Sequence, residues 1–402
     1  MSALRFSRLS KPGRRSVTAA LAIAVLAGTV ATTALSARKT TPAPYVIGWV
    51  TGFTGSQATN AVSATQGLQA ALAYVNKHNV AGRQIKVFYA DDAADPQTAG
   101  NDCNRLVNST HVNAIVGFES TPSTAACNTY LTSSNIPYIL AQTSTSGSLC
   151  LSNYFSVANV GNQQVNPLIS YLAKSGSKKI YVVASDFSSG HLGASQVAAQ
   201  ATADGATVVG TSYEPLGTTD FSSDISKIAS AGPDTVVDIL VGSDETAFYK
   251  QFKTDPRSAG IRTASYLMDD GIAAAIGGQL LQGTIVSTGY FKDNTTPGNQ
   301  AFISALNKKY GSKAAISGAA AAAWDGVFIL AHALDSAKST SGTDVIASLM
   351  TAKASGPRGD LAFKNRHYVS LTTYVVQEQK DGTAKLVTKA QRITPIPVTP
   401  TC

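Results

Sequence analysis

Short loops rich in serine, threonine and aspartate follow the apolar, strand-like segments of this sequence. Where such a loop opens a helix, backbone N–H groups and neighbouring hydroxyls can bind a carboxylate or an amide oxygen. Two adjacent acids, Asp269 and Asp270, could instead accept hydrogen bonds from an ammonium or an amide N–H. Helix capping alone explains any single loop, but loops that face one cleft would form a binding site. The loops are 51–56, 118–121, 142–145, 185–190, 242–244 and 269–270.

Aromatic side chains could add an apolar wall to such a site. Phe53, Phe118 and Phe187 lie in the loops, where burial against a core is harder to achieve, and they would suit a small, partly apolar ligand. Tyr290 and Trp324 are expected to pack in the core instead.

Catalysis has little support in the residues. The chain has no G-x-S-x-G elbow, no Walker loop and no H-E-x-x-H. Asp186, His191 and Ser188 or Ser189 could be drawn as a triad, but residues so close in sequence rarely reach that geometry. We therefore predict no enzyme activity, no catalytic residue, no cofactor and no metal site. An α/β enzyme that depends on Ser188 or Ser189 is kept as an alternative.

The loops divide an alternation of strands and helices. Residues 221–228 carry apolar side chains at helical spacing, and 235–241 form a near-continuous apolar run, typical of a parallel strand buried on both faces. The same alternation runs through 45–140 and again through 163–287, which predicts an α/β fold of two doubly wound units. In such sheets ligands bind beyond the carboxyl ends of the strands. A helical block and a final hairpin follow.

The N-terminus has the features of an export signal. Five basic residues precede an apolar segment at 17–30, and small residues follow at 34–37. We predict a cleaved signal peptide at 1–37 and a periplasmic or secreted protein; an uncleaved membrane anchor is the alternative. Five of the eight net positive charges lie in this segment, so the remaining chain carries only about +3. That charge does not favour nucleic acid as a partner.

Four cysteines in an exported chain indicate disulfides. Three pairings are possible. Cys103 and Cys127 lie in consecutive predicted helices, which would be neighbours in a doubly wound sheet, so we favour Cys103–Cys127 and leave Cys150 to Cys402.

Several segments in order resemble the leucine/isoleucine/valine-binding family of periplasmic solute-binding proteins, and most of all its amide- and urea-binding branch. They are TGFTG (51–55), IVGFESTPS (115–123), VASDFSSG (183–190), PLGTTDFSSDISKI (215–228), PDTVVDILVG (233–242) and ETAFYKQF (245–252). The resemblance implies the type I periplasmic-binding-protein fold, with two doubly wound lobes joined by three crossovers. It implies lobe 1 at 38–158 and 289–364, and lobe 2 at 159–288 and 365–402.

The resemblance also implies which residues face a ligand. They are Thr54, Phe118, Ser120, Gln142, Thr143, Phe187, Ser189, Gly242, Asp269 and Asp270. Phenylalanines stand at 118 and 187, where amide and urea binders usually have tyrosines.

The function implied is capture of a branched-chain or related amino acid, urea or a short amide by hinge closure, and delivery to an ABC transporter permease. We expect a monomer. A ligand sensor of the same fold is the second alternative.

Overall fold

The computed structural model describes residues 42–118, 120–142, 144–145, 151–364 and 367–396, with residues 118, 144 and 145 described by their backbone alone. The predicted signal peptide lies outside these residues, as do Thr143, Cys150 and Cys402. No helix within the described ranges is long and apolar enough to cross a membrane.

A first sheet is built from the N-terminal half of the chain. Its five parallel strands stand in the order second, first, third, fourth, fifth, and two short strands from near residue 365 extend its edge. The strands are β1 (Tyr45–Thr51), β2 (Ile85–Asp91), β3 (Ala114–Phe118), β4 (Tyr138–Leu140) and β6 (Tyr154–Ser156), extended by β15 (Phe363–Lys364) and β16 (Tyr368–Val369); β5 (Ser144–Thr145) pairs with β7 (Asn159–Val160) outside it. The helices between them are α1 (Ala58–Lys77), α2 (Pro96–Asn108) and α3 (Thr121–Ser133).

A second sheet repeats the same order. Its five parallel strands again run second, first, third, fourth, fifth, and an antiparallel strand then adds to the edge. The strands are β8 (Lys179–Ser185), β9 (Thr207–Glu214), β10 (Thr235–Ile239), β11 (Arg262–Ser265) and β12 (Ile285–Thr288), followed by β17 (Leu371–Glu378), β18 (Ala384–Leu386) and β19 (Gln391–Ile393). The helices are α4 (Gly161–Lys174), α5 (Ser188–Ala203), α6 (Ser222–Ala231), α7 (Ser243–Phe252), α8 (Asp270–Ile276) and α9 (Gly278–Leu281), with a 3-10 turn at Pro256–Ser258.

Three later helices return to the first sheet. They are α10 (Pro297–Tyr310), α11 (Gly318–Ala337) and α12 (Gly342–Leu349), with a 3-10 turn at Gly311–Lys313 and a small hairpin of β13 (Ala354–Gly356) and β14 (Gly359–Leu361). The alanine-rich α11 packs against α1 so closely that a Cβ on Gly67 would lie 2.0 Å from the carbonyl oxygen of Ala320. Trp324 and Tyr290 are buried in this core, which confirms the packing expected for them.

Periodicity accounts for the local structure of the central segment. Phe221, Ile225 and Ile228 are buried along α6, which ends at Gly232 in the left-handed conformation that glycine adopts readily (φ 58°). All five residues of β10 are buried because helices cover both faces of the second sheet.

The chain passes between the two sheets three times. The first passage lies between β6 and β8, the second follows β12, and the third falls at Ser370 between β16 and β17. Tyr368 pairs with Ser156 of the first sheet, so the chain still belongs to this sheet a few residues beyond the predicted boundary at 364–365. The lobe boundaries themselves stay a proposal.

The predicted neighbours α2 and α3 pack side by side. The structure joins Cys103 and Cys127 between them, with Cα atoms 5.5 Å apart and both residues fully buried. The second predicted pair lies outside the described residues.

Candidate ligand cleft

The order of strands reverses at one place in each sheet. In the first sheet this is between β1 and β3, and in the second between β8 and β10. Helices on opposite faces leave a crevice at such a point, beyond the carboxyl ends of the strands. The residues that follow these ends are 52–57, 120, 186–187 and 240–242, which lie in or beside four of the six predicted loops.

Gly242 brings a loop of the second sheet against a loop of the first. It has φ 62° and ψ −126°, a conformation that side-chain-bearing residues rarely adopt. A Cβ at this position would lie 2.1 Å from the carbonyl oxygen of Ser56, in the loop after β1. Glycine is therefore required both by its backbone conformation and by the close approach of the two loops.

Asp269 and Asp270 also reach toward the first sheet's helices. Asp269 Oδ1 caps α8 by accepting hydrogen bonds from the N–H groups of Gly271 (2.9 Å) and Ile272 (3.2 Å). Asp270 Oδ2 accepts one from Gly318 N–H (3.2 Å), the first residue of α11. The carboxylate thus lies at a helix N-terminus, where the helix dipole favours negative charge.

The two acids share an environment that disfavours a double charge. Desolvation raises the pKa of Asp270 to about 7, and the charge of Asp269 adds to this rise. Burial likewise raises the pKa of Asp269, which its N–H partners counteract. Asp270 is exposed and lines a cavity described below, whereas Asp269 is only 6% exposed. A cationic group beside Asp270 would offset the cost of ionising it.

The hydroxyl residues of the first sheet's loops have partners within the protein. Thr54 donates from its N–H (3.2 Å) and its Oγ1 (2.9 Å) to the carboxylate of Asp91. Ser120 caps α3, with its Oγ accepting from Ser123 N–H at 3.3 Å. Ser120 is thus accounted for by capping, and a ligand contact for either residue stays a prediction.

Phe187 and Ser189 lie at the start of α5, and both are half-buried. Beside them, His191 Nε2 lies 2.8 Å from Asp186 Oδ1, and its ring stacks on Tyr213 with ring centres 3.9 Å apart. The His191 and Asp186 side chains are each about half exposed, so the pair is a surface contact.

The remaining predicted residues are described in part. Phe118 is the last residue of β3, with its backbone paired to Thr51 of β1. Gln142 is half-buried two residues beyond β4, and Thr143 lies outside the described residues. The structure therefore gathers Thr54, Phe118, Ser120, Phe187 and Gly242 at strand ends, and their contact with a ligand stays a prediction.

A cavity of about 610 Å³ lies beside α8, and we call it the α8 cavity. Of the predicted ligand residues, Asp269 and Asp270 are the two that line it. The other walls come from β12 and the residues after it, from α10 and from β17 with its hairpin. One further acid, Glu378 at the end of β17, also lines the cavity.

An acid pair lies under the loop that holds Gly242. Asp238 and Glu245 are each 1% exposed, and Asp238 Oδ2 accepts a hydrogen bond from Tyr249 OH at 2.8 Å. Ser265 Oγ donates to Glu245 Oε1 at 3.1 Å. Burial raises the pKa of Asp238 to about 7, and burial together with the charge of Asp238 raises that of Glu245 well above its usual range. The pair therefore keeps a proton near neutral pH.

Metal binding has no support within the described ranges, where no three histidine, cysteine, aspartate or glutamate side chains converge as a metal site requires.

A family model described as periplasmic binding protein matches residues 44–383, most of the chain. The chain belongs to this family. Its curated relatives include Leu/Ile/Val-binding protein homolog 6 of Brucella suis biovar 1, 27% identical over 266 residues, 64% of this chain and 68% of the relative. Homolog 8 of Brucella abortus is 28% identical over 330 residues, 77% of each chain.

Solved structures share the fold of this periplasmic binding protein. A solute-binding protein of an ABC transporter from R. palustris, in complex with benzoate, has a TM-score of 0.78 at 22% identity and covers 89% of this chain and 99% of its own. A branched-chain amino acid transporter substrate-binding protein of Streptococcus pneumoniae, in complex with isoleucine, has a TM-score of 0.75 at 21% identity and covers 88% and 100%. The expected type I periplasmic-binding-protein fold is confirmed.

The finer assignment within the family is not confirmed. The amide- and urea-binding branch was expected, whereas the two solved structures described above hold benzoate and isoleucine. The family is one of binding proteins, and the absence of enzyme activity stays a prediction.

Sequence reasoning missed three residues of this periplasmic binding protein. Glu378, Asp238 and Glu245 were absent from the predicted site. Asp238 interrupts an apolar strand, and that position is a signal that it is buried. Glu378 is the last residue of β17, and nothing in the neighbouring sequence distinguishes it from a surface acid.

Proposed function

We propose that this protein captures a small ligand between its two sheets outside the cytoplasm and delivers it to an ABC transporter permease. The observation that carries the proposal is the approach of Gly242 to Ser56, which joins the loop after β10 to the loop after β1. Asp270, in contact with Gly318, makes a second such link. Loops that meet in this way can enclose a ligand and open again when the lobes rotate about their crossovers.

The ligand class that the cleft favours is an α-amino acid with an apolar side chain. Asp269 and Asp270 supply carboxylates for an ammonium. N–H groups at the starts of α3 and α5 supply donors for a carboxylate, and the half-buried Phe53 and Phe187 supply apolar surface. Urea and short amides use the same donors and acceptors without a charge.

Aromatic carboxylates form a second candidate class. Proteins of the same fold are solved with benzoate and with 4-hydroxybenzoate, and an aromatic ring would suit the phenylalanines at 118 and 187. Such a ligand brings no cation to Asp270, so its binding would leave that acid uninvolved.

Three further parts of the proposal concern the whole protein. A signal peptide at 1–37 directs export to the periplasm or beyond, the mature chain acts as a monomer, and no cofactor takes part. Lobe 1 spans 38–158 and 289–364, and lobe 2 spans 159–288 and 365–402, with the third boundary up to six residues later if the pairing of Tyr368 is counted.

The test is a thermal-shift and calorimetric screen of residues 38–402 against amino acids, urea, short amides and benzoates. A ligand at a hundredfold its dissociation constant should add about 2.7 kcal/mol to the free energy of unfolding. For an amino acid, Asp270→Asn should raise Kd by about tenfold or more because it removes a charge-assisted hydrogen bond. The matched control is Asp381→Asn, in the exposed hairpin.

Each outcome decides between classes. Binding of amino acids alone, weakened in Asp270→Asn, supports the amino-acid proposal. Binding of benzoates that is unchanged in Asp270→Asn supports the aromatic class. No ligand-dependent shift across the panel contradicts the proposed capture of these ligands.

A further inference from the structure

The segment that follows the last hairpin crosses the junction between the two sheets, and we call residues 391–396 the C-terminal strap. Its first part is β19, which pairs antiparallel with residues 371–373 at the start of β17, directly after the third passage of the chain. Its last part lies against the first turn of α4, a helix that packs on β12 and β17 of the second sheet. The backbone of the C-terminal strap is therefore attached to the second sheet and its helix.

Two side chains of α4 hold the C-terminal strap in place. Asn162 Nδ2 donates a hydrogen bond to Thr394 O at 3.0 Å, and Ile396 N–H donates one to Asn162 Oδ1 at 2.8 Å. Gln163 is fully buried, and its Nε2 donates to Ile393 O at 2.9 Å. Buried amides are costly to leave unpaired, so these bonds fix the path of the C-terminal strap along α4.

The side chain of Arg392 reaches in the opposite direction, to the first sheet's side of the junction. Its Nη2 donates to Asp360 O at 2.8 Å, in the hairpin of β13 and β14. This hairpin packs against α10 and α11, which belong to the core of the first sheet. It is also anchored there by Arg358, whose Nε donates to Asp325 Oδ2 of α11 at 2.6 Å. Arg392 therefore links the body of the second sheet to that of the first.

This link exists in the arrangement in which the ligand loops meet at Gly242 and Ser56. Rotation about the crossovers parts those loops by moving the two bodies relative to each other. Arg392 has its backbone on one body and its hydrogen-bond acceptor on the other, so the rotation strains or breaks its bond to Asp360 O. A contact made in one of two arrangements shifts the equilibrium toward that arrangement.

We propose that the C-terminal strap is a tie across the hinge, which favours the arrangement in which the ligand loops meet. Arg392 makes the tie, and Asn162 and Gln163 anchor it. The proposal rests on the proposed function in that it takes ligand capture to use rotation about the crossovers. None of the strap residues, which the structure describes in full, lies in the strand-end loops or lines the α8 cavity, so the tie acts without touching the ligand.

The first test uses ligand-free protein, with a hydrogen bond between the two bodies as the reporter. Gly318 N–H, at the start of α11, donates to Asp270 Oδ2, and this bond is lost when the loops part. Hydrogen exchange of the Gly318 amide, measured by NMR on residues 38–402, therefore reports opening. Arg392→Ala removes the tie, and Lys385→Ala, which removes an exposed positive charge from β18 on the same sheet, is the matched control.

The Gly318 amide should exchange about two- to tenfold faster in Arg392→Ala, because one hydrogen bond is lost from the arrangement that protects it. Arg392→Lys keeps a charged donor and should restore part of the protection. Asn162→Ala, which frees the far end of the C-terminal strap, should also speed exchange, and Lys385→Ala should leave the rate unchanged. The amide of Val237 in the buried strand β10 reports global unfolding and should keep the parent rate.

The second test is the affinity for L-isoleucine and benzoate, measured by calorimetry. If either probe binds, its Kd should rise in Arg392→Ala, by up to about tenfold, and stay constant in Lys385→Ala. Exchange responds fully when the ligand-free protein is mainly in the arrangement described, and Kd responds fully when that protein is mainly open.

The proposal is overturned if Arg392→Ala changes neither the exchange of Gly318 nor the Kd of a bound probe. It is also overturned if Val237 and Gly318 accelerate by the same factor, since the cause is then a loss of global stability. Faster exchange confined to Gly318, with no binding of either probe, supports the tie and contradicts capture of these ligands. Binding that is unchanged in Arg392→Ala, together with unchanged exchange, supports ligand capture and contradicts the tie.

Discussion

Replacing Gly242 with alanine is expected to weaken ligand binding more than a comparable glycine replacement elsewhere. The substitution has two separate costs. The first is the backbone conformation (φ 62°, ψ −126°), which costs about 1–3 kcal/mol for a residue with a Cβ and is present whenever the chain is folded. The second is the contact with Ser56, which exists only while the two loops meet.

The size of the second cost follows from the geometry. The added Cβ would lie 2.1 Å from Ser56 O, whereas real Cβ contacts essentially never fall under 3.0 Å, so the loops must part by roughly 0.9 Å. Overpacking of this kind costs about 1–3 kcal/mol. If ligand binding requires the loops to meet, Kd should rise by roughly 5- to 150-fold.

Gly260→Ala is the matched control. Gly260 also has a positive φ, 81°, but nothing lies within 4 Å of the position that its Cβ would occupy. Its alanine variant should lose stability in urea unfolding by a similar backbone cost and keep the Kd of the parent, as measured by calorimetry with the ligand found in the screen. Equal Kd values for the parent and Gly242→Ala, or equal losses of affinity in both variants, would refute the reasoning.

Three further predictions concern stability. The proton kept by the Asp238 acid pair stabilises the fold at low pH, and this contribution should disappear as pH rises through the folded-state pKa of about 7. The urea concentration at the midpoint of unfolding should therefore decline from pH 5 to pH 8 in the parent protein. The decline should be smaller in Asp238→Asn. Arg358 Nε donates a hydrogen bond to Asp325 Oδ2 at 2.6 Å in the protein interior, so Arg358→Met should lower the free energy of unfolding in urea by about 3–5 kcal/mol. Adding Asp325→Asn should recover part of this loss, because no unpaired charge is then left in the interior. Additive losses in the double variant would contradict this reasoning. Cys103 and Cys127 are 24 positions apart in sequence, and loss of the bond between them should lower the free energy of unfolding by about 3 kcal/mol. Alkylation of both thiols in unreduced, denatured protein would show that the bond is absent.

Much of the fold follows from local patterns. The 3.6-residue spacing along α6 and the apolar run of β10 reflect which faces of these two elements are buried. Both patterns can be read from residues that are close together in the sequence. The predicted final hairpin is present as β17 and β18, and its turn at Asp381-Gly382 has Gly382 at φ 80°. The pairing of helices α2 and α3 followed from their order along a doubly wound sheet.

The candidate site was predictable in position and less so in chemistry. The strand-end loops lie where the alternation of strands and helices puts them, because parallel strands end at one edge. Ser120 and Asp269 cap their own helices, and a sequence cannot separate a cap from a ligand contact, since both use the same side chain at the same place.

The sequence by itself determined the element order and the polar loops at the strand ends, because these depend on patterns close along the chain. The alternation of strands with helix-length segments also indicated two parallel sheets. Tertiary structure alone decided the approach of Gly242 to Ser56 and the location of Glu378. Glu378 reaches the α8 cavity because β17 pairs antiparallel with β12, about ninety residues earlier, so that an acid with no local mark is buried beside Asp270. Burial and charge neighbours, which set its pKa, are properties of the assembled fold.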